Sequence, residues 1–168
     1  TSGTSPAMIL IFAALLDPGD EVALSDPHYA CYPNFLRLVD ARPHYVRVRE
    51  EEGFQFRPEE LKPHLTPRTK AVIINSPANP TGTLLTPERL AQLAEIGPFI
   101  VSDEIYDRLV YGFDHVCVPS LGEEIHKWTI LLGGFSKTYA MTGWRIGYAC
   151  GPAEIIEGML RIHQYSVM

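Results

Sequence analysis

Lys137 lies in a short segment whose residue types could hold a phosphorylated aldehyde cofactor. It follows an apolar run at residues 130–132, lies beside Ser136, and stands eight positions before Arg145. A lysine amine can form a Schiff base with an aldehyde, and the planar guanidinium of arginine can bind a phosphate through paired hydrogen bonds. Most lysines are simply exposed surface residues. The position of Lys137 at the end of a predicted strand favours a chemical role instead.

Two other predicted strands end in polar residues of the kind that bind ligands. Asp103 and Glu104 close an apolar run and Tyr106 follows one turn later, while Asn79 stands directly before a proline after another apolar run. A carboxylate there can pair with a protonated ring nitrogen, and an amide can donate to a ligand oxygen. The alternatives are a solvated acidic turn and a plain proline turn. In open α/β sheets, ligands bind at this carboxyl edge.

The first residues form a small-residue turn followed by a proline, which is favoured in the first turn of a helix. The backbone N–H groups of Gly3, Thr4 and Ser5 would then lie at the positive end of a helix, where an anion can bind. The alternative is that Ser5 merely caps a core helix. These residues alone leave both interpretations open.

The composition indicates one domain and excludes some classes of function. With 168 residues, 46% of them hydrophobic, the chain can bury one core. A net charge of −6 argues against nucleic-acid binding. Cys31, Cys117 and Cys150 are widely spaced, so they predict neither a disulfide framework nor a metal site and favour the reducing cytoplasm. The apolar run at residues 7–16 is shorter than the ~20 residues that cross a bilayer, so it predicts a buried helix and no membrane partner.

Short apolar runs alternate with helix-like segments along the chain, which predicts an α/β fold with a doubly wound, mostly parallel sheet. The predicted strands are residues 21–25, 45–48, 70–75, 99–102, 129–133 and 146–150. The predicted helices are residues 6–16, 29–39, 58–65, 87–96 and 152–164, and Met168 is expected to close the last helix. An acidic loop or hairpin is expected at residues 50–53, and no segment is typical of a domain linker.

Four motifs together resemble the class I and II aminotransferases, pyridoxal phosphate enzymes of the aspartate aminotransferase fold. They are Ser-Gly-Thr-Ser at 2–5, Asn-Pro-Thr-Gly at 79–82, Ser-Asp-Glu-Ile-Tyr at 102–106 and Ser-Lys-Thr-Tyr-Ala-Met-Thr-Gly-Trp-Arg-Ile-Gly at 136–147. They occur in family order over essentially the whole chain. The resemblance implies that Lys137 forms the Schiff base with the cofactor and then moves the proton between the substrate α-carbon and the cofactor C4′.

The same resemblance implies the other site residues. Asp103 would pair with the pyridinium nitrogen, Asn79 and Tyr106 would bind the ring O3′, and Tyr29 would stack on the ring unless it belongs to a helix core. The phosphate ligands would be as follows: Ser136, Arg145 and the helix-start amides of Gly3, Thr4 and Ser5. These roles describe how a cofactor would be held and activated.

The implied activity is transfer of an amino group between an amino acid and a 2-oxo acid, in a cytoplasmic homodimer. Family members are longer, so residues 1–168 would be a partial large domain, incomplete at both ends, without its first strand and without the small domain. The arginine that binds the substrate carboxylate belongs to that small domain. We therefore expect the 168-residue chain alone to be inactive and prone to aggregation.

Two other functions share these motifs. A carbon–sulfur lyase or an aminocyclopropane carboxylate synthase would eliminate a group rather than transfer an amine, and Tyr106, where such lyases often carry histidine, favours transfer. A transcription regulator with an aminotransferase-like effector domain would need a DNA-binding domain ahead of Thr1. An amino-group transferase is the leading hypothesis.

Overall fold

A computed structural model describes residues 1–166 of the chain. The expectation that Met168 closes the last helix lies outside these residues. The strands are Glu21–Asp26 (β1), Arg42–Arg47 (β2), Thr69–Asn75 (β3), Phe99–Asp103 (β4), Thr129–Gly134 (β5) and Gly147–Cys150 (β6). The α-helices are Thr4–Leu15 (α1), Tyr32–Arg37 (α2), Pro58–Leu61 (α3), Pro87–Ala94 (α4), Glu123–Lys127 (α5) and Ala153–Ser166 (α6).

The strands form one six-stranded sheet in the order β2-β1-β3-β4-β5-β6. The first five strands of that order pair in parallel, and β6 runs antiparallel to β5. The order reverses direction between β1 and β3, as it does in doubly wound sheets. The predicted α/β fold class, with a doubly wound and mostly parallel sheet, is therefore confirmed.

The sheet is buried on both faces, and β3 shows why its sequence is continuously apolar. Ala71 and Ile73 face a core that contains α1, α2 and α6, while Val72 and Ile74 face a second core that contains α3 and α4. Successive side chains of a strand point to opposite faces, so a strand between two cores needs apolar residues at every position.

No helix within residues 1–166 has the length and apolar character that crossing a bilayer requires.

Several predicted boundaries were wrong for identifiable reasons. The helix predicted to start at residue 29 starts at Tyr32, so Tyr29 lies in the turn before α2. Strand β2 begins at Arg42 because it pairs in register with the whole of β1, although its residues are largely polar or exposed. The short helix α5 was missed because it is polar and buries no residue. Residues 50–53 form a 3₁₀ turn that ends at Gly53 in the left-handed region.

The sheet brings three distant segments to one edge. Asn75 and Asp103 are register partners at the ends of β3 and β4, and the lysine turn follows β5. Strand β6 starts beside the beginning of α1, because Thr1 and Gly147 exchange two backbone hydrogen bonds of 2.9 Å. The carboxyl edge of the sheet and the first turn of α1 thus face a common space.

Candidate active site

A cavity of about 210 Å³ lies at this carboxyl edge. Nine of the ten site residues named from the sequence line it: Thr4, Ser5, Tyr29, Asn79, Asp103, Tyr106, Ser136, Lys137 and Arg145. The tenth, Gly3, lies just behind the wall, where the guanidinium of Arg145 is 2.6 Å from the position that a Cβ would take. The fold therefore brings the whole predicted set together around one cavity.

Asp103 is the buried acid of the cavity, with 6% of its surface exposed. Its Oδ2 accepts a 2.7 Å hydrogen bond from the Tyr32 hydroxyl, and its Oδ1 accepts a 3.3 Å bond from the backbone N–H of Ile105. Burial raises the pKa of the Asp103 carboxyl because it disfavours the charged form, and the two hydrogen bonds oppose that rise. Within residues 1–166, no cationic side chain forms a salt bridge with it.

The neighbouring carboxylate, Glu104, has a structural role. Its Oε1 accepts hydrogen bonds from the Ser102 hydroxyl at 2.8 Å and the Val118 N–H at 2.9 Å, and its Oε2 is 2.7 Å from Nε2 of His115. Glu104 does not line the cavity and instead attaches the loop around residues 115–118 to the end of β4. Of the two adjacent acids, only Asp103 is available to a ligand.

Lys137 lies in the turn after β5, with Nζ 5.8 Å from the centroid of the Tyr106 ring. The Thr138 hydroxyl donates a 2.8 Å hydrogen bond to Oδ1 of Asp107, in the segment that follows β4. This bond attaches the lysine turn to the element that carries Tyr106. Lys137 thus lines the same cavity as Asp103, Ser136 and Arg145, beside the ring of Tyr106.

Asn79 reaches the cavity through a chain of polar contacts that starts on β3. The Asn75 amide donates to the backbone oxygen of Asp103 at 2.9 Å, and its Oδ1 accepts from the N–H of Asn79 at 2.7 Å. The Asn79 amide in turn donates to the Tyr106 hydroxyl at 3.4 Å. Asn75 therefore sets the position of Asn79 relative to the acid, and Asn79 and Tyr106 present their polar ends side by side.

The start of α1 and Arg145 supply the donors and positive charge that binding of an anion requires. Helix α1 begins after Gly3, has no side-chain cap and carries no acidic residue in its first turn, so its free N–H groups and dipole are uncompensated. Arg145 adopts the left-handed backbone region, with φ of 53°, and no carboxylate within residues 1–166 lies within salt-bridge distance of its guanidinium. A non-glycine residue in that region costs about 1–3 kcal/mol, a strain typical of functional positions.

Gly147 lets β6 contact the start of α1 at this place, because glycine has no side chain. A Cβ on Gly147 would lie 2.7 Å from the backbone carbon of Gly3 and 2.9 Å from the backbone nitrogen of Thr4. Real Cβ atoms do not approach backbone atoms so closely, so only glycine lets β6 touch the start of α1. Arg145 lies two residues before Gly147. The contact between Gly147 and the start of α1 therefore also sets how far the Arg145 side chain lies from the helix start.

Tyr29 forms an aromatic wall of the cavity and contacts the ring of Tyr32 edge-on, with centroids 5.3 Å apart. Its position outside α2 favours the ring-stacking interpretation over the helix-core one. Four further residues line the cavity without having been identified from the sequence: Tyr32, Asn75, Ile105 and Thr142. Ile105 and Thr142 lie within the quoted motifs, and Asn75 ends the predicted strand four positions before the motif at 79–82. Tyr32 carried no signal beyond its position three residues after Tyr29.

These residues fit pyridoxal phosphate, the group that the sequence implies. A buried carboxylate without a cation suits a protonated ring nitrogen, because a buried charge is stabilised by an opposite charge. The helix start, Ser136 and Arg145 supply donors and positive charge for a phosphate dianion. Lys137 lines the same cavity and supplies the amine that could bind the aldehyde of such a molecule.

Comparison with known proteins agrees with this geometry. The family model described as aminotransferase class I and II matches residues 1–166. An aspartate aminotransferase of Geobacillus stearothermophilus is 46% identical over 169 residues, which cover 98% of this chain and 43% of that protein. A (5-formylfuran-3-yl)methyl phosphate transaminase of Methanocaldococcus jannaschii is 42% identical over 164 residues, covering 98% of this chain and 42% of that protein.

The fold is also shared with solved structures. The structure of Thermus thermophilus aspartate aminotransferase with maleate superposes with a TM-score of 0.94 at 42% identity, over 99% of this chain and 44% of that one. The described sheet therefore corresponds to part of that structure. The chain spans less than half the length of the relatives that it matches.

Replacing Gly147 with alanine should weaken the anion site. We expect Gly147→Ala to push the start of α1 away from β6, because the new methyl group would clash with backbone atoms that cannot rotate away. The affinity of the full-length protein for pyridoxal phosphate, measured by fluorescence titration, should fall by at least about tenfold, the effect of losing one charge-assisted hydrogen bond.

Gly143→Ala is the matched control, because a Cβ at Gly143 has no neighbour within 4 Å. It lies in the same turn and should leave the affinity unchanged. Equal affinities of the Gly147→Ala variant and the wild-type protein would show that the contact between β6 and α1 does not shape the site.

Replacing Asp103 with asparagine should stabilise the cofactor-free protein as the pH rises. A buried acid with a raised pKa binds its proton more tightly when folded, so folding loses stability as pH rises above the unfolded value of about 3.8. Asp103→Asn carries no charge and avoids this loss. Thermal unfolding of both cofactor-free proteins from pH 4 to pH 8 should show a difference that widens in favour of the variant, whereas parallel curves would contradict the buried, uncompensated charge.

Proposed function

Because the chain belongs to the class I and II aminotransferases, we propose that the whole protein transfers an amino group between an amino acid and a 2-oxo acid. Enzymes of this family depend on pyridoxal phosphate. The observation that supports the proposal most strongly is the convergence of Lys137, Asp103 and Arg145 on one cavity from three separate segments. Residues 1–168 would be the greater part of the large, cofactor-binding domain.

Different residues of the cavity would bind different parts of the cofactor. Arg145, Ser136 and the N–H groups of the first turn of α1 would bind its phosphate, and Asp103 would pair with the ring nitrogen. Lys137 would hold the aldehyde carbon as a Schiff base. When bound, the ring supplies an electron sink for the charge that develops on a substrate α-carbon.

Lys137 would carry out the proton transfer. Its Nζ would take the proton from the substrate α-carbon, as a general base that lines the cavity. The hydrogen bond between Thr138 and Asp107 attaches the lysine turn to the segment after β4, which would help to hold the amine in place. Positioning of this kind contributes much of the rate enhancement of enzymes.

Asp103 and the pair formed by Asn79 and Tyr106 would keep the ring in its reactive state. The buried negative charge of Asp103 favours a proton on the ring nitrogen, which strengthens electron withdrawal. Asn79 and Tyr106 would hydrogen-bond the ring O3′. The contact of 3.4 Å between the two side chains supports their action as a pair.

We extend the proposal to assembly and location. Trp144 and Tyr139 lie on the same loop as Lys137 and are 71% and 62% exposed, which supports a surface covered by a second copy of the protein in a homodimer.

Cys31, Cys117 and Cys150 are free thiols, which supports a reducing compartment such as the cytoplasm.

Removing the amine of Lys137 should abolish both cofactor attachment and turnover. We expect the full-length protein to show the absorbance band of bound pyridoxal phosphate and to exchange amino groups between an amino acid and a 2-oxo acid. Lys137→Ala should lose the band, because no other lysine lines the described cavity. Its kcat should fall by at least about a thousandfold, since it loses both the covalent attachment and the general base.

Two variants sharpen this test. Lys137→Arg keeps the positive charge but cannot form a Schiff base, so it should also lose the band, whereas Lys70→Ala, at an exposed position of β3, should keep both band and turnover. An unchanged band in Lys137→Ala would contradict the assignment. Release of pyruvate and ammonia without a 2-oxo acid would identify an eliminating enzyme instead of a transferase.

A further inference from the structure

Tyr32 is the least expected member of the site. It is the first residue of α2, only 2% of its surface is exposed, and its hydroxyl donates a 2.7 Å hydrogen bond to Oδ2 of Asp103. The two residues are separated by 71 positions in the sequence. A tyrosine buried this deeply costs free energy unless its hydroxyl has a partner, and here the partner is the acid of the candidate active site.

We propose that Tyr32 is a positioning residue that orients the Asp103 carboxylate towards the cofactor ring and keeps it ionised by a neutral hydrogen bond. The inference rests on the proposed function, because it assigns the second contact of the acid that would pair with the ring nitrogen. Tyr32 itself would act through Asp103, without a chemical step of its own.

A phenol suits the position beside Asp103 because its hydroxyl is a neutral hydrogen-bond donor. A lysine or arginine at the same place would also fix the carboxylate, but its charge would cancel the negative charge that a ring nitrogen needs. A neutral hydroxyl orients one oxygen and leaves the charge available. An ionised carboxylate has about four acceptor sites, so the contacts from Tyr32 and Ile105 leave room for a further donor.

The phenol is held neutral by its surroundings. Burial raises the pKa of the Tyr32 hydroxyl well above its usual value, and the charge and hydrogen bond of Asp103 raise it further. The other ionisable groups that act on this pair are Tyr29 and Tyr106, beside the phenol, and Glu104, beside the acid. The carboxylate of Glu104 is engaged by Ser102, His115 and Val118, and the Tyr32 hydroxyl donates to Asp103.

The backbone links this contact to the aromatic wall of the cavity. The N–H of Tyr32 donates to the backbone oxygen of Tyr29 at 3.1 Å, and the two rings meet edge-on. Both rings pack against the core that contains α1. The wall that would stack on the cofactor and the phenol that holds Asp103 are therefore parts of one rigid turn, so ring and acid keep a fixed relation.

The test removes one oxygen atom. Tyr32→Phe, made in the full-length protein, keeps the ring and its packing but loses the hydrogen bond. The absorbance of bound pyridoxal phosphate is titrated with pH in the absence of substrate, and cofactor affinity is measured separately. Tyr111→Phe is the matched control, because it removes the same hydroxyl from a residue that is 84% exposed and does not line the site.

With a less firmly ionised Asp103, the ring nitrogen holds its proton less tightly, so a second proton on the same conjugated system is repelled less. We expect the midpoint of the absorbance titration of Tyr32→Phe to rise by about half a pH unit or more, and the affinity to fall by about tenfold. Tyr111→Phe should match the wild-type protein in both. A merely structural role would lower the unfolding temperature without moving the midpoint.

The outcomes separate this inference from the function on which it rests. A wild-type protein without a cofactor absorbance band would overturn the proposed function, and this inference with it. A normal band in the wild-type protein, together with an unchanged midpoint in Tyr32→Phe, would overturn the role of Tyr32 alone. A midpoint that rises in Tyr32→Phe and not in Tyr111→Phe supports it, whatever the change in unfolding temperature.

Discussion

The burial of one carboxylate, that of Asp103, is the constraint on which the candidate site depends. An acid at the inner end of a central strand cannot be solvated, so its surroundings must supply partners. Here β3 supplies Asn75, which holds the backbone of Asp103, and α2 supplies the Tyr32 hydroxyl. The remaining, unmatched charge faces the cavity. Burial of this kind, which raises the pKa of the carboxyl and lowers stability, is common at functional sites.

Around the start of α1 and Arg145, the cavity is built differently. There, the protein relies on backbone groups at the start of α1 and on one guanidinium, and it needs glycine at residue 147 so that β6 can touch the helix. The cavity has groups of opposite polarity, with an acid at Asp103 and positive charge at Arg145, and Lys137 lines it as well. A molecule with a basic ring nitrogen at one end and a phosphate at the other matches that separation of charge, which is why family and geometry support the same cofactor.

Much of this arrangement could be predicted from the sequence, because the chemical residues lie at the ends of apolar runs. The position of Asp103 after its strand and of Lys137 after β5 places both at one edge of a parallel sheet, by topology alone. Tyr32 could not be found in the same way, since its meaning depends on a partner 71 residues away. The close approach of Gly147 to Gly3 is likewise a tertiary contact. Helix α2 starts at Tyr32 and not at residue 29, with Pro33 in its first turn, where proline is favoured.

The central claim is that Lys137 is the residue that binds the cofactor, and chemical trapping tests it most directly. Full-length protein incubated with pyridoxal phosphate is reduced with borohydride, which converts a Schiff base to a stable secondary amine, and its peptides are analysed by mass spectrometry. We predict a single phosphopyridoxyl adduct on the peptide that contains Lys137. An adduct confined to another lysine, or none at all at saturating cofactor, would contradict the account.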